Sequence, residues 1–184
     1  NAQNVILDGL EKLEYRGYDS AGVALIENGS LLTRKHAGRL SNLVESLDEN
    51  PIKGYVGIGH TRWATHGAPS DINSHPHTNK EGSIAVVHNG IIENYRALKE
   101  ELVEKGYTFV SETDTEVVAH LIDFYYKGDL LEAVFSAEER LQGAYALGVV
   151  AKNNPQEIIA FRNESPLILG IGSHEHFIAS DIPA

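Results

Sequence analysis

The sequence predicts a single domain, residues 1–184, that combines helices with substantial antiparallel sheet. A length of 184 residues suits one domain, and a hydrophobic content of 42% is enough to fill a sizeable core. In the last third of the chain, short connections join segments with strand-like patterns. Such connections favour antiparallel hairpins, because parallel neighbours need long crossovers. No internal repeat, linker or low-complexity tract divides the chain.

The first third predicts a helix followed by a hairpin. Apolar residues recur at helical spacing over residues 5–15. Strand-like segments at 23–26 and 31–33 flank Asn28-Gly29, a dipeptide typical of tight hairpin turns. A further strand is expected at 55–58.

The middle of the chain predicts a long irregular stretch and two well-marked helices. Residues 60–82 are rich in His, Thr, Asn, Ser and Pro, as binding loops often are. Asn94 is placed to cap a helix that runs toward residue 105, and Thr113 with Glu116 fits a capping box for the next helix. The remaining predicted elements are a buried strand at 84–87, a weaker helix at 130–141, and strands at 146–151, 157–161, 167–171 and 176–179.

Composition and charge exclude several classes of function. Twenty-six acidic residues against fifteen basic ones give a net charge of −11, which repels nucleic-acid phosphates and anionic membrane surfaces. No apolar run has the length of a membrane span, and no signal peptide is evident. The absence of Cys excludes disulfides and thiolate catalysis within these residues. The absence of Met leads us to expect a fragment that lacks its own N-terminus, or a sequence from which Met has been lost.

Arg62 is the first candidate for ligand binding. It lies among hydroxyl and imidazole side chains directly after the strand predicted at 55–58. A guanidinium in this position can hold a small carboxylate through charge-assisted hydrogen bonds. An ordinary surface loop, in which the arginine pairs with one of the many acidic residues, is an equally good local explanation.

Histidines are concentrated in the same region and raise the alternative of a metal site. No acidic residue stands at a usual metal-motif offset from them, and Cys ligands are absent. Hydrogen-bonded loop histidines are therefore the favoured interpretation, and no metal is predicted. The residues concerned are His60, His66, His75, His77 and His88.

Three further residues could contact a ligand. Asn89 and Gly90 follow a buried strand and offer a side-chain amide and a backbone N–H, a pair that suits an oxyanion hole. Taken alone, Asn-Gly is more simply a turn. Asp114 could bind an ammonium group, or its charge could be there because helix N-termini favour acids.

Several of these segments, taken in order, resemble one known family. They are residues 14–22 (EYRGYDSAG), 60–67 (HTRWATHG), 75–77 (HPH), 87–94 (VHNGIIEN), 111–116 (SETDTE) and 177–181 (FIASD). The strings closely resemble the N-terminal glutaminase domain of the glutamine–fructose-6-phosphate aminotransferases, a class II glutamine amidotransferase domain. The resemblance covers essentially the whole chain, and related amidotransferases carry different residues after Arg-Gly and after His-Thr-Arg.

This resemblance implies an α+β fold of the N-terminal nucleophile hydrolase type, a four-layer αββα sandwich with two antiparallel sheets. The family's nucleophile is an N-terminal cysteine on the first strand, and its own α-amino group acts as general base. No such cysteine is present in residues 1–184. We therefore expect this chain to lack the nucleophile strand and the sugar-isomerase domains, and to be inactive by itself.

The resemblance also implies a role for individual residues. Asn89 and Gly90 match the oxyanion hole, and Arg16 matches an active-site arginine next to the nucleophile. Arg62 matches the residue that binds the glutamine α-carboxylate, Asp114 matches the partner of the α-ammonium, and Gly90 assists it. The remaining matches are Thr65 and His66, which assist in substrate binding, and Trp63, the gate of an ammonia channel.

The family implied by these motifs hydrolyses L-glutamine and passes ammonia to a downstream sugar-isomerase portion, which converts fructose 6-phosphate to glucosamine 6-phosphate. The expected enzyme is cytoplasmic, needs no cofactor for the glutaminase step, and forms homo-oligomers mainly through the sugar-binding half. No nucleic-acid or membrane partner is expected. The alternative is a catalytically inactive module that binds glutamine or a protein partner.

Overall fold

A computed structural model describes residues 1–64 and 66–184. Five helices lie within these ranges: α1 (Ala2–Leu13), α2 (Leu40–Glu49), α3 (Tyr95–Glu104), α4 (Thr115–Tyr125) and α5 (Leu130–Glu138). The strands are β1 (Ser20–Glu27), β2 (Ser30–Ala37), β3 (Val56–Arg62), β4 (His77–Thr78), β5 (Ile84–Gly90), β6 (Tyr145–Ala151), β7 (Ile159–Asn163), β8 (Ile168–Ile171) and β9 (His176–Ala179).

The strands form antiparallel sheets. One sheet has the order β2-β1-β3 and a second has the order β4-β5-β6-β7, while β8 and β9 form a two-stranded ribbon. The register of the first sheet pairs Ser20 with Arg62, and that of the second pairs Gly90 with Tyr145. The fold is therefore α+β, as the sequence predicts.

Three apolar layers show that the two sheets lie between two helical layers. On β1, Val23 and Leu25 face α1 and α2, whereas Ala24 and Ile26 face the other sheet. On β5, Ala85 packs in the layer between the sheets, and its neighbours on the strand pack against α3, α4 and α5. Because alternate side chains leave opposite faces of a strand, the central strands of both sheets are buried on both sides. The result is the expected four-layer αββα sandwich.

Most predicted elements are confirmed, and one helix was missed. The hairpin turn has positive φ at both Asn28 (49°) and Gly29 (75°), as a tight hairpin requires. The stretch predicted as irregular contains the end of β3, which extends to Arg62, and the short strand β4. Helix α2 was not predicted, although Leu40, Leu43 and Leu47 are its buried residues and stand at helical spacing.

The predicted caps of α3 and α4 are wrong in detail. Asn94 occupies the N-cap position of α3, but its amide donates to the carbonyl of Arg140 instead of bonding within the helix. Helix α4 begins at Thr115 with Asp114 as N-cap, so Thr113 is not the cap. The carboxylate of Glu116 accepts hydrogen bonds from the backbone N–H groups of Val110 and Ser111 rather than reaching back to Thr113.

In the described part of the chain, no helix is long and apolar enough to cross a membrane.

Glu116 links the loop before α4 to the helix itself and is expected to make stability depend on pH. It is buried, and burial by itself would raise its pKa; hydrogen bonds from His120, Ser111 and the backbone of Val110 outweigh this and lower the pKa to about 2. The Glu116 carboxyl therefore holds its proton less tightly in the folded chain than in the unfolded chain, where its pKa is near 4.5. The stabilisation is present above pH 4.5 and is lost as the pH falls toward 2.

We predict that Glu116→Gln lowers the free energy of unfolding at pH 7 by roughly 3 kcal/mol, since each unit of pKa difference is worth about 1.4 kcal/mol. The difference from the parent should narrow by about 1 kcal/mol between pH 5 and pH 3.5. Urea unfolding of both proteins between pH 5 and pH 3.5 measures the two free energies of unfolding. The exposed carboxylate of Glu100 provides the control Glu100→Gln. A difference that stays constant with pH would contradict the assignment.

Gly90, the last residue of β5, is held in a conformation that excludes a side chain. Its φ is +111°, and an added Cβ would lie 2.1 Å from the carbonyl oxygen of Ala144. Gly128 has nearly the same φ, +106°, yet an added Cβ would have no atom within 4 Å. The two glycines therefore separate backbone strain from steric contact.

We predict that Gly128→Ala costs about 1–3 kcal/mol through backbone strain alone. Gly90→Ala should cost roughly 1–3 kcal/mol more, because the strand must also move away from Ala144. Chemical denaturation of the two variants and the parent measures the difference. Equal losses in the two variants would show that the contact with Ala144 does not restrict residue 90.

Candidate active site

One cavity of about 730 Å³ opens where β3 and β5 end, and it brings together most of the residues singled out from the sequence. Strand β3 contributes Arg62, and β5 contributes Asn89 and Gly90. The N-cap of α4 contributes Asp114. The described members of the predicted set that line this cavity are Arg16, Arg62, Trp63, His66, Asn89, Gly90 and Asp114. Thr65 lies outside the described residues.

Arg62 is a buried cation that keeps a hydrogen-bonding group for a ligand. It is 4% exposed, and its Nη2 donates to the carbonyl oxygens of His66 and Gly67. Burial lowers its pKa, whereas Asp19 and Asp114 act in the opposite direction. Its Nη1 lies 3.8 Å from Asp19 and has no hydrogen-bond partner among the described residues. The group is suited to bind a carboxylate.

Asp19 supports this arginine and was missed as a site residue in the sequence. Its Oδ1 accepts a hydrogen bond from Ser20 and forms the ion pair with Arg62, while its Oδ2 accepts from the backbone N–H of Ala64. One carboxylate thus fixes both the guanidinium and the chain that follows it. The available signal was an acidic residue inside the polar segment 14–22.

Asp114 is a second buried charge on the cavity wall. It is 3% exposed, and its Oδ2 accepts a hydrogen bond of 2.8 Å from the backbone N–H of Ile92. Its Oδ1 lies 3.9 Å from Nδ1 of His88, a ring that burial keeps mostly neutral by lowering its pKa. A carboxylate in this position on the cavity wall is suited to bind an ammonium group.

Asn89 and Gly90 lie on the same cavity, at the end of β5. The Oδ1 atom of Asn89 is 2.8 Å from Nε2 of His60 on β3. This strand end is paired with β6 and is not a free turn, so the Asn-Gly turn interpretation is wrong here. A side-chain amide and a positive-φ glycine on a cavity wall have the composition of an oxyanion hole.

Three other predicted residues lie at the edges of the cavity. Arg16 donates to Ser180 and forms an ion pair of 3.6 Å with Asp181, so in this structure it holds the segment after β9. Trp63 is 61% exposed and packs edge-on against Tyr18 at 5.3 Å. The ring of His66 packs edge-on against Tyr95. Their roles in catalysis remain predictions.

The histidines form a buried stack next to the cavity. The rings of His60 and His75 are stacked with centroids 4.3 Å apart, and His77 packs edge-on against His75. The ring of His88 is nearly parallel to that of His75 at a centroid distance of 6.3 Å. Burial lowers the pKa of His60 to about 4 and that of His77 to about 3, so these rings are neutral at pH 7. Among the described residues, no group of three or more His, Asp or Glu side chains is arranged to hold a metal ion.

Comparison with known proteins assigns the fold and these motifs to one family. A family model described as a glutamine amidotransferase domain matches residues 60–184. A glutamine–fructose-6-phosphate aminotransferase (isomerizing) from Clostridium perfringens is 61% identical over 183 residues, and one from Clostridium tetani is 63% identical over 183 residues. Each match covers 100% of this chain and 30% of the relative, so the chain spans about a third of the length of the curated relatives it matches.

Solved structures agree with this assignment. The glutamine phosphoribosylpyrophosphate amidotransferase of B. subtilis, complexed with ADP and GMP, has a TM-score of 0.84 and 30% identity; the match covers 98% of this chain and 39% of that one. A structure described as the allosteric regulatory enzyme of purine biosynthesis also has a TM-score of 0.84, with 28% identity over 96% of this chain and 39% of the other. By its family match, its αββα fold and the residues on its cavity, the chain belongs to the glutamine amidotransferase domain family.

Proposed function

We propose that this chain is the glutaminase domain of a glutamine–fructose-6-phosphate aminotransferase. Together with a nucleophile outside residues 1–184, it hydrolyses L-glutamine to glutamate and ammonia. The ammonia converts fructose 6-phosphate to glucosamine 6-phosphate in sugar-isomerase domains that also lie outside these residues. The names of the relatives that match the whole chain support this assignment. The enzyme acts in the cytoplasm and forms homo-oligomers through its sugar-binding half.

One observation carries the proposal. A buried cation, a buried anion and the end of strand β5 all line the same cavity. Arg62 binds the α-carboxylate of glutamine, and Asp114 binds its α-ammonium. Both charges are held by backbone groups, so neither has to rearrange when the substrate arrives. The side-chain carboxamide then extends toward Asn89 and Gly90, which stabilise the oxyanion that forms when its carbonyl is attacked.

The nucleophile in this proposal is a cysteine on a strand outside residues 1–184, which contain no cysteine. Among the described strands, β3 is hydrogen-bonded only to β1, so its other edge can accept a strand. The cavity runs along that edge between α1 and β9. A strand antiparallel to β3 would begin near Arg62, and its first residue would lie at the site.

In the reaction, the thiolate attacks the amide carbon and the family's α-amino group serves as general base. The α-amino group returns the thiol proton to the leaving nitrogen when the tetrahedral intermediate collapses to a thioester, so that ammonia departs. Water then hydrolyses the thioester to glutamate and the free thiol. Trp63 and its neighbour Tyr18 shield the cavity from water at this stage. Arg16 and His66 contribute to the walls around the nucleophile and substrate.

The test uses the full-length protein that contains this domain. It should hydrolyse glutamine to glutamate and form glucosamine 6-phosphate when fructose 6-phosphate is supplied. A glutamine analogue that alkylates thiols should abolish both reactions. If the full-length protein binds glutamine without hydrolysing it, the glutaminase proposal is wrong and the domain is a binding module.

The substrate clamp gives a prediction for individual residues. In the full-length enzyme, Arg62→Gln and Asp114→Asn should each raise the dissociation constant of glutamine at least about 30-fold, because a buried charge loses its partner. Asp114→Asn should bind 4-carbamoylbutyrate, which lacks the amine, as the parent does. Arg62→Gln should bind 4-aminobutanamide, which lacks the carboxylate, as the parent does.

Isothermal titration calorimetry with the three ligands measures these affinities. The exposed residue Asp48 supplies the control Asp48→Asn, which should bind all three like the parent. If both site variants weaken all three ligands equally, the two residues support the fold and do not recognise separate charges on the substrate.

A further inference from the structure

The contact between His60 and Asn89 joins the two sheets directly at the site. His60 lies on β3 of the first sheet, and Asn89 lies on β5 of the second. The distance from Nε2 of His60 to Oδ1 of Asn89 is 2.8 Å, a normal hydrogen bond. We propose that His60 is a positioning residue that orients the Asn89 amide so that its NH₂ group faces the cavity. This inference rests on the proposed glutaminase function.

An asparagine amide needs such a partner if it is to act as a donor. Its C=O and NH₂ groups have nearly the same shape, so the side chain can turn by 180° with little change in packing. In one orientation it presents two donors to the oxyanion, and in the other it presents a carbonyl oxygen that repels the oxyanion. A fixed donor on the far side of the amide selects the useful orientation, because it attracts Oδ1.

The surroundings of His60 make it a fixed donor. Its Nδ1 is buried and has no hydrogen-bond partner in the described part of the chain. A proton on Nδ1 would leave a buried N–H group unpaired, whereas a proton on Nε2 is donated to Asn89. The neutral Nε2–H tautomer is therefore the favoured form.

Stacking and burial hold the ring in this state. His75 covers one face of the imidazole at a centroid distance of 4.3 Å. Burial lowers the pKa of His60 to about 4, although hydrogen bonding with Asn89 and with the backbone of His88 acts in the opposite direction. The ring thus carries a single proton at pH 7. The sequence favours a hydrogen-bonded loop histidine here, with a metal ligand as the alternative. Neither interpretation accounts for the contact of His60 with Asn89.

Two substitutions separate the donor from the volume of the side chain. His60→Gln places an amide N–H close to the position of Nε2, whereas His60→Leu fills similar space with no donor. In the full-length enzyme, His60→Leu should lower kcat for glutamine hydrolysis at least about tenfold with little change in KM, since the oxyanion forms only after binding. His60→Gln should keep most of the parent kcat.

A double-mutant cycle shows whether His60 acts through Asn89. Asn89→Ala removes the donor itself and should lower kcat by about 10²–10³-fold. In that background His60→Leu should cause no further loss, because there is no amide left to orient. Independent, multiplicative losses would overturn the proposal. His36, a half-buried histidine on β2, supplies the control His36→Leu, which should leave kcat unchanged.

The tautomer of His60 is a readout that does not depend on activity. ¹⁵N NMR of the histidine-labelled full-length protein should show the His60 proton on Nε2. A proton on Nδ1 would mean that Asn89 donates to Nε2 and turns its carbonyl toward the cavity, which would overturn the inference even in an active enzyme. A protein with the Nε2–H tautomer but without glutaminase activity would instead contradict the proposed function.

Discussion

The packing of the two sheets against each other determines where every functional group lies. The layer between them consists of apolar side chains from both sheets, and two of its five buried members are alanines. Its buried members are Ala24, Ile26, Ile58, Ala85 and Val150. Strand β3 of one sheet and β5 of the other therefore end at the same cavity. Arg62 and Asn89 can act on one small molecule although they belong to different sheets.

Buried polar groups complete the site before any ligand is present. The guanidinium of Arg62 is tied to backbone carbonyls, and the carboxylate of Asp114 is tied to a backbone N–H. An ion buried without partners would be costly, and these contacts reduce that cost while leaving part of each charge for the ligand. Rigid placement of both ions reduces the entropy lost on binding. The site therefore depends on loop backbone as much as on the side chains that line the cavity.

Features set by neighbouring residues could be predicted from the sequence, and contacts across the fold could not. The hairpin at Asn28-Gly29 and helix α4 follow from turn chemistry and apolar spacing. The capping box failed because Glu116 bonds to the preceding loop, a choice that the local pattern does not reveal. Residue type singled out Arg62, Asn89 and Asp114, but only the family resemblance joined them into one site. The contact of His60 with Asn89 spans 29 positions and two sheets, so no local pattern could indicate it.

The stacked histidine rings determine which part of the domain loses stability at low pH. In an unfolded chain these histidines would titrate near their ordinary pKa of about 6.5. In the folded chain burial lowers the pKa of His60, His75 and His77. As the pH falls below 6.5, the unfolded chain therefore takes up protons that the folded chain cannot, and stability decreases. His60 lies on β3, while His75 and His77 contact Thr115 and Thr113 at the start of α4. Acidification should therefore weaken the packing first where the first sheet meets the start of α4.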